Sequence, residues 1–175
     1  SNLLLKLIND ILELSRIESG RMSFAFDDCS LNELLEEIYQ THHLLMPSNI
    51  RFLKEFQEME LIIHVDRFRF TQVITNFINN AVKFTTKGHI LLGTVYKKEE
   101  KEVHVFVEDT GKGMSEEAQK KVFERFFKVD EFAQGTGLGL SICQTIAERL
   151  EGRITLSSQE GKGSRFTLII PCRPK

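Results

Sequence analysis

Apolar residues recur at Leu4, Leu7, Ile11 and Leu14, the alternation of threes and fours that keeps one stripe of a helix apolar, and Leu3, Ile8 and Leu12 widen it. The spacing predicts a helix over 3–17 that begins without a cap and stops at Gly20, in the C′ position that glycine favours. So broad an apolar face with no capped start reads as the second half of a helical hairpin or of a two-chain bundle. Ser30 followed by Glu33 makes a capping box, and Leu31, Leu34, Leu35, Ile38 and Leu45 carry the apolar face of a second helix that Pro47 ends. Strand-like runs follow at 50–56 and 61–65. Asp66 then caps a third helix with its apolar face at Phe70, Val73, Ile74, Phe77, Ile78 and Ala81. Residues 88–95 and 103–107 read as strands around a charged turn, 97–102. A helix over 138–150 closes at Gly152, and 153–157 with 165–170 make a last hairpin around Gly161, Lys162 and Gly163.

After residue 24 the order is strand, helix, two strands, helix, two strands, irregular segment, helix, two strands. Strand pairs alternating with single helices predict an α+β fold, a two-layer sandwich on a mostly antiparallel sheet. Two units follow: residues 1–20, the helical appendage, and residues 24–175, the sandwich. Charge narrows the function without naming it. With 23 Lys+Arg against 25 Asp+Glu, both signs interspersed, there is no basic footprint for nucleic acid, and any anion site has to be local. Cys29, Cys143 and Cys172 are too far apart for paired-cysteine metal or redox sites and read as reduced thiols in a cytoplasmic-type compartment. The longest apolar runs fall far short of the ~18–20 residues that cross a bilayer, so no membrane contact by this chain is expected.

Glycine is the most uneven residue, with eight of the eleven between Gly111 and Gly163. The run Gly135-Thr136-Gly137-Leu138-Gly139 directly before a helix is either a flexible connector or a cradle of bare N–H groups at a helix N-terminus for phosphates. It completes neither a Walker A loop nor a dinucleotide fingerprint. On the third helix Asn76, Asn80 and Lys83 fall on one stripe, with Asn79 adding a further mid-helix amide. That stripe is either a solvated face or a site in which amide oxygens suit Mg²⁺ and the lysine meets phosphate. Asp109 ends a strand and is followed by Thr110-Gly111-Lys112-Gly113, where a carboxylate can accept from an exocyclic amine and bare backbone lets a planar base approach. Phe123, Phe126, Phe127 and Phe132, interleaved with Arg125 and Lys128, fit core packing or a movable segment that presents cations.

In this order the segments resemble the catalytic, ATP-binding domain of sensor histidine kinases, whose Bergerat fold is shared by gyrase, mismatch-repair and chaperone ATPases. Residues 76–84, Asn-Phe-Ile-Asn-Asn-Ala-Val-Lys-Phe, resemble the N box; 109–113 the first glycine box; 123–127 the F box; 135–139 the second glycine box; 161–163 the third. Residues 5–20 are similar to the end of the second dimerisation helix. The resemblance implies a mixed, mostly antiparallel sheet with three main helices on one face, preceded by the N-terminal helix. It implies that Asp109 binds the adenine amino group, with Gly111 and Gly113 beside it, that Asn76 and Asn80 hold Mg²⁺ and phosphate, and that Lys83 contacts phosphate. Gly137 and Gly139 would offer N–H groups, Phe84, Phe126, Thr136 and Leu138 complete the nucleotide set, and 112–135 would form the ATP lid. Lys128 stands where the family usually has a cationic lid residue. Phe84 stands where many relatives have Tyr, so ring packing can persist but a hydroxyl contact cannot.

The implied activity is transfer of the ATP γ-phosphoryl group to a histidine, then to an aspartate of a response-regulator receiver domain. The family's acceptor lies on the first dimerisation helix, followed by an acidic residue, and none of His42, His43, His64, His89 and His104 has that setting. The chain is therefore expected to bind ATP without its own acceptor, to dimerise through the dimerisation helices of the full-length protein, and to belong to the cytoplasmic portion of a membrane-bound bacterial sensor kinase. Two rivals remain at this point. A hydrolase of the same fold resembles this sequence but places Glu where Asn76 stands, to polarise water. A pure dimerisation module would keep the Leu4-Leu7-Ile11-Leu14 seam over a decayed nucleotide site.

Overall fold

The computed structural model of the chain describes residues 2–129 and 137–175. Helix α1 (Asn2–Glu18) ends as its glycine predicts: Gly20 takes a φ of +71°, and the N–H groups of Gly20 and Arg21 turn back to the carbonyls of Ile17 and Arg16. Strand β1 (Asp27–Ser30) leads into α2 (Leu31–Leu45), capped by Ser30, whose Oγ accepts from the Glu33 N–H at 3.4 Å. After β2 (Ile50–Glu55) and β3 (Leu61–Val65), helix α3 (Arg67–Phe84) starts at Asp66. One carboxylate oxygen of Asp66 accepts from the Arg69 N–H at 3.0 Å and caps α3, while the other accepts from the Ala25 N–H at 2.8 Å and pins the link that follows α1.

Strands β4 (Gly88–Lys97) and β5 (Glu102–Asp109) form the expected hairpin. The segment read as irregular carries a short helix, α4 (Glu116–Lys121), capped by Ser115 through a bond from the Ala118 N–H. None of its residues is buried, so it has no apolar period to betray it. Helix α5 (Gly139–Arg149), β6 (Arg153–Gln159), β7 (Gly163–Pro171) and the two-residue β8 (Arg173–Pro174) complete the chain.

The main sheet runs β2-β4-β5-β7-β6, antiparallel throughout except for the parallel pair β2 and β4. Strands β1, β3 and β8 form a second, antiparallel sheet. The sequence order suggests β2 and β3 as a pair, yet they join different sheets. β2 buries only Ile50 and Phe52, the load of an edge strand, whereas β3 buries Leu61, Ile63 and Val65 between two partners.

Val103, Val105 and Val107 of β5 are buried at alternate positions on the side that receives α3, and Phe77 of α3 stacks on Phe166 of β7 with ring centres 5.5 Å apart. Phe70, Val73, Ile74, Phe77 and Ile78 are all wholly buried, each contributing about 1.5–3 kcal/mol of transfer free energy. α2 and α5 pack beside α3, so the three main helices form one layer over the sheets, as expected. Asp109 continues the alternation of β5, which ends the strand with a carboxylate on the helix side.

α1 lies against α5 and is fastened at its C-terminal half. Leu14 and Ile17 are buried, Glu13 accepts from both Arg69 and Gln72 of α3, and Glu18 pairs with Arg125. Its N-terminal half leaves Leu3, Leu4, Leu5 and Ile8 in water. All three cysteines are free thiols, and Cys143 of α5 is wholly enclosed. Among the described residues no helix is long and apolar enough to cross a membrane.

Candidate functional site

The polar stripe of α3 does face a cavity. Asn76, Asn79, Asn80, Lys83 and Phe84 form one wall of a space of about 150 Å³, with Gly137, Gly139 and Leu140 at the start of α5 on another. Phe127, Lys128 and Val129 border it on a third side, and Lys6 and Asp10 of α1 on a fourth. Asn76 and Asn80 are partly buried on this wall, while Asn79 and Lys83 keep exposure to solvent.

The amide of Asn76 is the most unusual group in this wall. Its Oδ1 is buried and has no hydrogen-bond partner among the described residues, a state that costs roughly 1–3 kcal/mol in a chain without ligand. The Nδ2 of the same amide is so close to Gly139 that a Cβ there would stand 2.4 Å from it. Any side chain at position 139 would fill the space in front of the amide, which accounts for the last glycine of the run. An orphaned amide oxygen with Asn80 one helical turn further on is a donor set for a hard cation that keeps most of its water and phosphate ligands. The residues present therefore fit Mg²⁺.

Three ammonium groups converge on this cavity. Lys83 has its pKa pushed below the usual lysine value, first by desolvation of its ammonium group and then by the charges of Lys128 and Lys6. Mutual repulsion of cations around a concave space is what an anion relieves on entering. Asp10 is the one carboxylate on the described lining, and Lys6 lies over it at 3.6 Å. No carboxylate stands at position 76, where a water-polarising hydrolase would need one.

The glycine boxes divide between two duties. Gly137 (φ +76°) packs on the backbone of Phe126, whose N–H donates to the Gly137 carbonyl at 2.9 Å, and this crossing closes the rim of the cavity. Gly111 and Gly113 do not line it: a Cβ at 111 would strike the Phe84 carbonyl and one at 113 the Gln159 carbonyl, so both allow close backbone crossings. Asp109 is buried, 6% exposed, and its Oδ1 accepts from the Gly111 N–H at 2.8 Å. Burial raises its pKa above the usual carboxylate value, against the lowering effect of backbone N–H groups of Gly111 and Ser164. Asp109 also lies off the cavity's lining; Met114, five residues on, does line it, as does Phe84, whose carbonyl accepts from the Lys112 N–H. Phe126 is exposed with a φ of +65°, and its neighbour Phe127 takes the place on the wall. Leu138 is wholly buried and caps α5 through its carbonyl. Gly135, Thr136 and Phe132 lie outside the described residues.

Sequence reasoning missed Lys6 and Asp10. Their spacing of four on α1 looks like an ordinary surface ion pair, and nothing local connects it with asparagines seventy residues on.

The geometry agrees with the relatives of the chain. Residues 65–174 match the family described as histidine kinase-, DNA gyrase B- and HSP90-like ATPases, and the chain belongs to that family. It is 36% identical over 176 residues to histidine protein kinase 1 of Candida albicans, which covers 95% of this chain and 7% of that protein. Sensor histidine kinase RcsC of Salmonella typhimurium is 36% identical over 177 residues (98% of this chain, 18% of RcsC), and WalK of Bacillus subtilis is 30% identical over 173 (96% and 28%). The chain thus spans under a third of these relatives' lengths. Among solved structures, full-length ShkA in complex with AMPPNP superposes with a TM-score of 0.88 at 27% identity, over 98% of this chain and 36% of ShkA. The catalytic domain of histidine kinase ThkA does so with 0.70 at 35% identity, over 85% of this chain and 96% of that domain. The part of the family that the chain is similar to is the ATP-binding catalytic domain of sensor histidine kinases.

Proposed function

We propose that the chain binds ATP with Mg²⁺ in the cavity beside α3 and transfers the γ-phosphoryl group to an imidazole nitrogen of a histidine on a dimerisation helix, for onward transfer to an aspartate of a receiver domain. The observation that carries this reading is the buried Oδ1 of Asn76, without a partner among the described residues, on a cavity lined by Lys6, Lys83 and Lys128. Asn76 and Asn80 would hold the metal, which when bound offsets the negative charge of the phosphate oxygens. Phosphoryl transfer passes through a loose transition state, so positioning and charge supply most of the catalysis. Lys83 and Lys128 neutralise phosphate charge, the start of α5 presents N–H groups, and Phe84 and Phe127 shield the space from water. Asp109, which lies off the lining of this cavity, would accept from the adenine amino group. No histidine of the chain lines the cavity, so the acceptor is supplied from outside these 175 residues. The exposed seam of Leu4, Ile8 and Ile11 suits the dimerisation bundle that would bring it, and the names of the relatives, sensor histidine kinases, support a catalytic portion of a sensor, which we read as the cytoplasmic part of a membrane-bound one.

Titration calorimetry with AMPPNP tests the site. Binding in the micromolar-to-millimolar range, at least tenfold weaker with EDTA and at least tenfold weaker in Asp109→Asn, is expected. Undiminished binding in Asp109→Asn removes the adenine assignment. Labelled ATP should phosphorylate an added hairpin that carries an acceptor histidine, with little phosphate release in its absence; brisk release instead would identify a hydrolase.

A further inference from the structure

We infer that Lys6 of α1 is a phosphate-contacting residue of this cavity, turned toward it by Asp10, so that the site takes a polyphosphate with a third cation drawn from outside the α/β sandwich. The inference rests on the proposed reading that the cavity binds ATP. It concerns residues that the family match, 65–174, does not reach.

Lys6 and Asp10 line the cavity beside the α3 stripe and also the adjoining hollow between α1, α3 and α5, about 300 Å³, which shares Asn76, Asn79 and Gly139 with it. The two spaces are one groove, and α1 roofs the junction. Asp10 is only 8% exposed, which is costly for a carboxylate on the wall of an anion site. Lys6, one turn before it and 3.6 Å away, is a cation that offsets this charge. With its side chain 63% exposed, Lys6 remains free to extend over an incoming phosphate while its stem stays on the wall. The ordinary alternative is a surface pair indifferent to ligand. Against it stands the anchoring of α1: Leu14 and Ile17 are buried, and Glu13 and Glu18 are tied to Arg69, Gln72 and Arg125, so Lys6 is presented from a helix whose C-terminal half is fixed beside the site. The electrostatic effect of Lys6 on Lys83 points the same way.

The reciprocal holds by linkage: whatever Lys6 adds to nucleotide affinity, nucleotide adds to the docking of α1. The test compares the full chain with Lys6→Ala and Lys6→Arg by calorimetry, using ATP·Mg²⁺ and, in parallel, adenosine. A contact of this kind is expected to make Lys6→Ala about five- to tenfold weaker for ATP, to leave Lys6→Arg within twofold of wild type, and to leave adenosine affinity unchanged. Equal ATP affinity in wild type and Lys6→Ala would overturn the inference, and so would an equal loss for adenosine, which would mark a structural effect. If wild type binds no ATP at all, the functional reading itself fails, a result distinct from either.

Discussion

α1 and α3 are of nearly equal length, 17 and 18 residues, and carry the same apolar period, yet they end in opposite states. The apolar face of α3 is wholly covered by the sheet and its neighbours, with Phe77 at 0% exposure. That of α1 is half in water, with Leu4 56% and Leu12 49% exposed, and only Leu14 and Ile17 reach the interior. Amphipathic period thus shows that a face seeks cover without showing whether the cover lies in the same chain. The other side of α3 adds a second contrast. There the Asn76 Oδ1 is buried beside a cavity without a partner among the described residues, so one helix has a side that stabilises the fold and a side that carries a cost to it.

The largest expected effect separates the two helices. Phe77→Ala should cost about 3–5 kcal/mol in urea unfolding, since it opens a cavity between α3 and Phe166, whereas Leu12→Ala should stay within about 0.5 kcal/mol. A large loss at Leu12 would mean that the α1 face is covered after all. Next in size is the fastening of α1. Glu13→Gln weakens a partly buried pair with Arg69 and a bond from Gln72, and about 1–2 kcal/mol of local stability should vanish from α1 alone. Hydrogen exchange should then quicken in 2–18 and stay unchanged in α3; uniform quickening would show the two helices to be one cooperative unit.

The smallest effect sets the site against the core around it. The pKa of Asp109 is raised by burial, so the folded chain binds its proton more readily than the unfolded chain does. Between the unfolded value of 3.8 and the raised folded one, stability contributed by this group falls as pH rises; the cost is complete above that window and absent below it. Asp109→Asn, which should weaken nucleotide binding, should therefore raise Tm slightly at neutral pH, and the gain should shrink as pH is lowered toward 4. A pH-independent difference between the two chains would show that burial of the charge is not its source.

Most of the fold was legible because it rests on local signals. Ser30 and Asp66 cap the helices they were expected to cap, Gly20 closes α1, and the alternation of β4 and β5 gives their hairpin register. What escaped was either short and exposed, like α4, or a matter of long-range pairing, like the parallel placement of β2 on β4. The α3 stripe was legible as a stripe, and the structure adds that it borders a cavity. Lys6 and Asp10 were beyond reach, since their part in the site follows from how α1 folds back and not from their spacing. The first glycine box shows the converse: the motif was plain, but the steric demand at Gly111 and Gly113 comes from the carbonyls of Phe84 and Gln159, which only tertiary structure brings there.

Cys143 gives the helix layer a built-in clock. Its thiol is enclosed by α5 where α1 and α3 close over it, and burial pushes its pKa far above that of a free cysteine, so it reacts only when those helices part. Cys172, only partly buried, provides a faster reference in the same molecule. The ratio of the two labelling rates reads how often the roof over the groove lifts, without any probe being added to the chain.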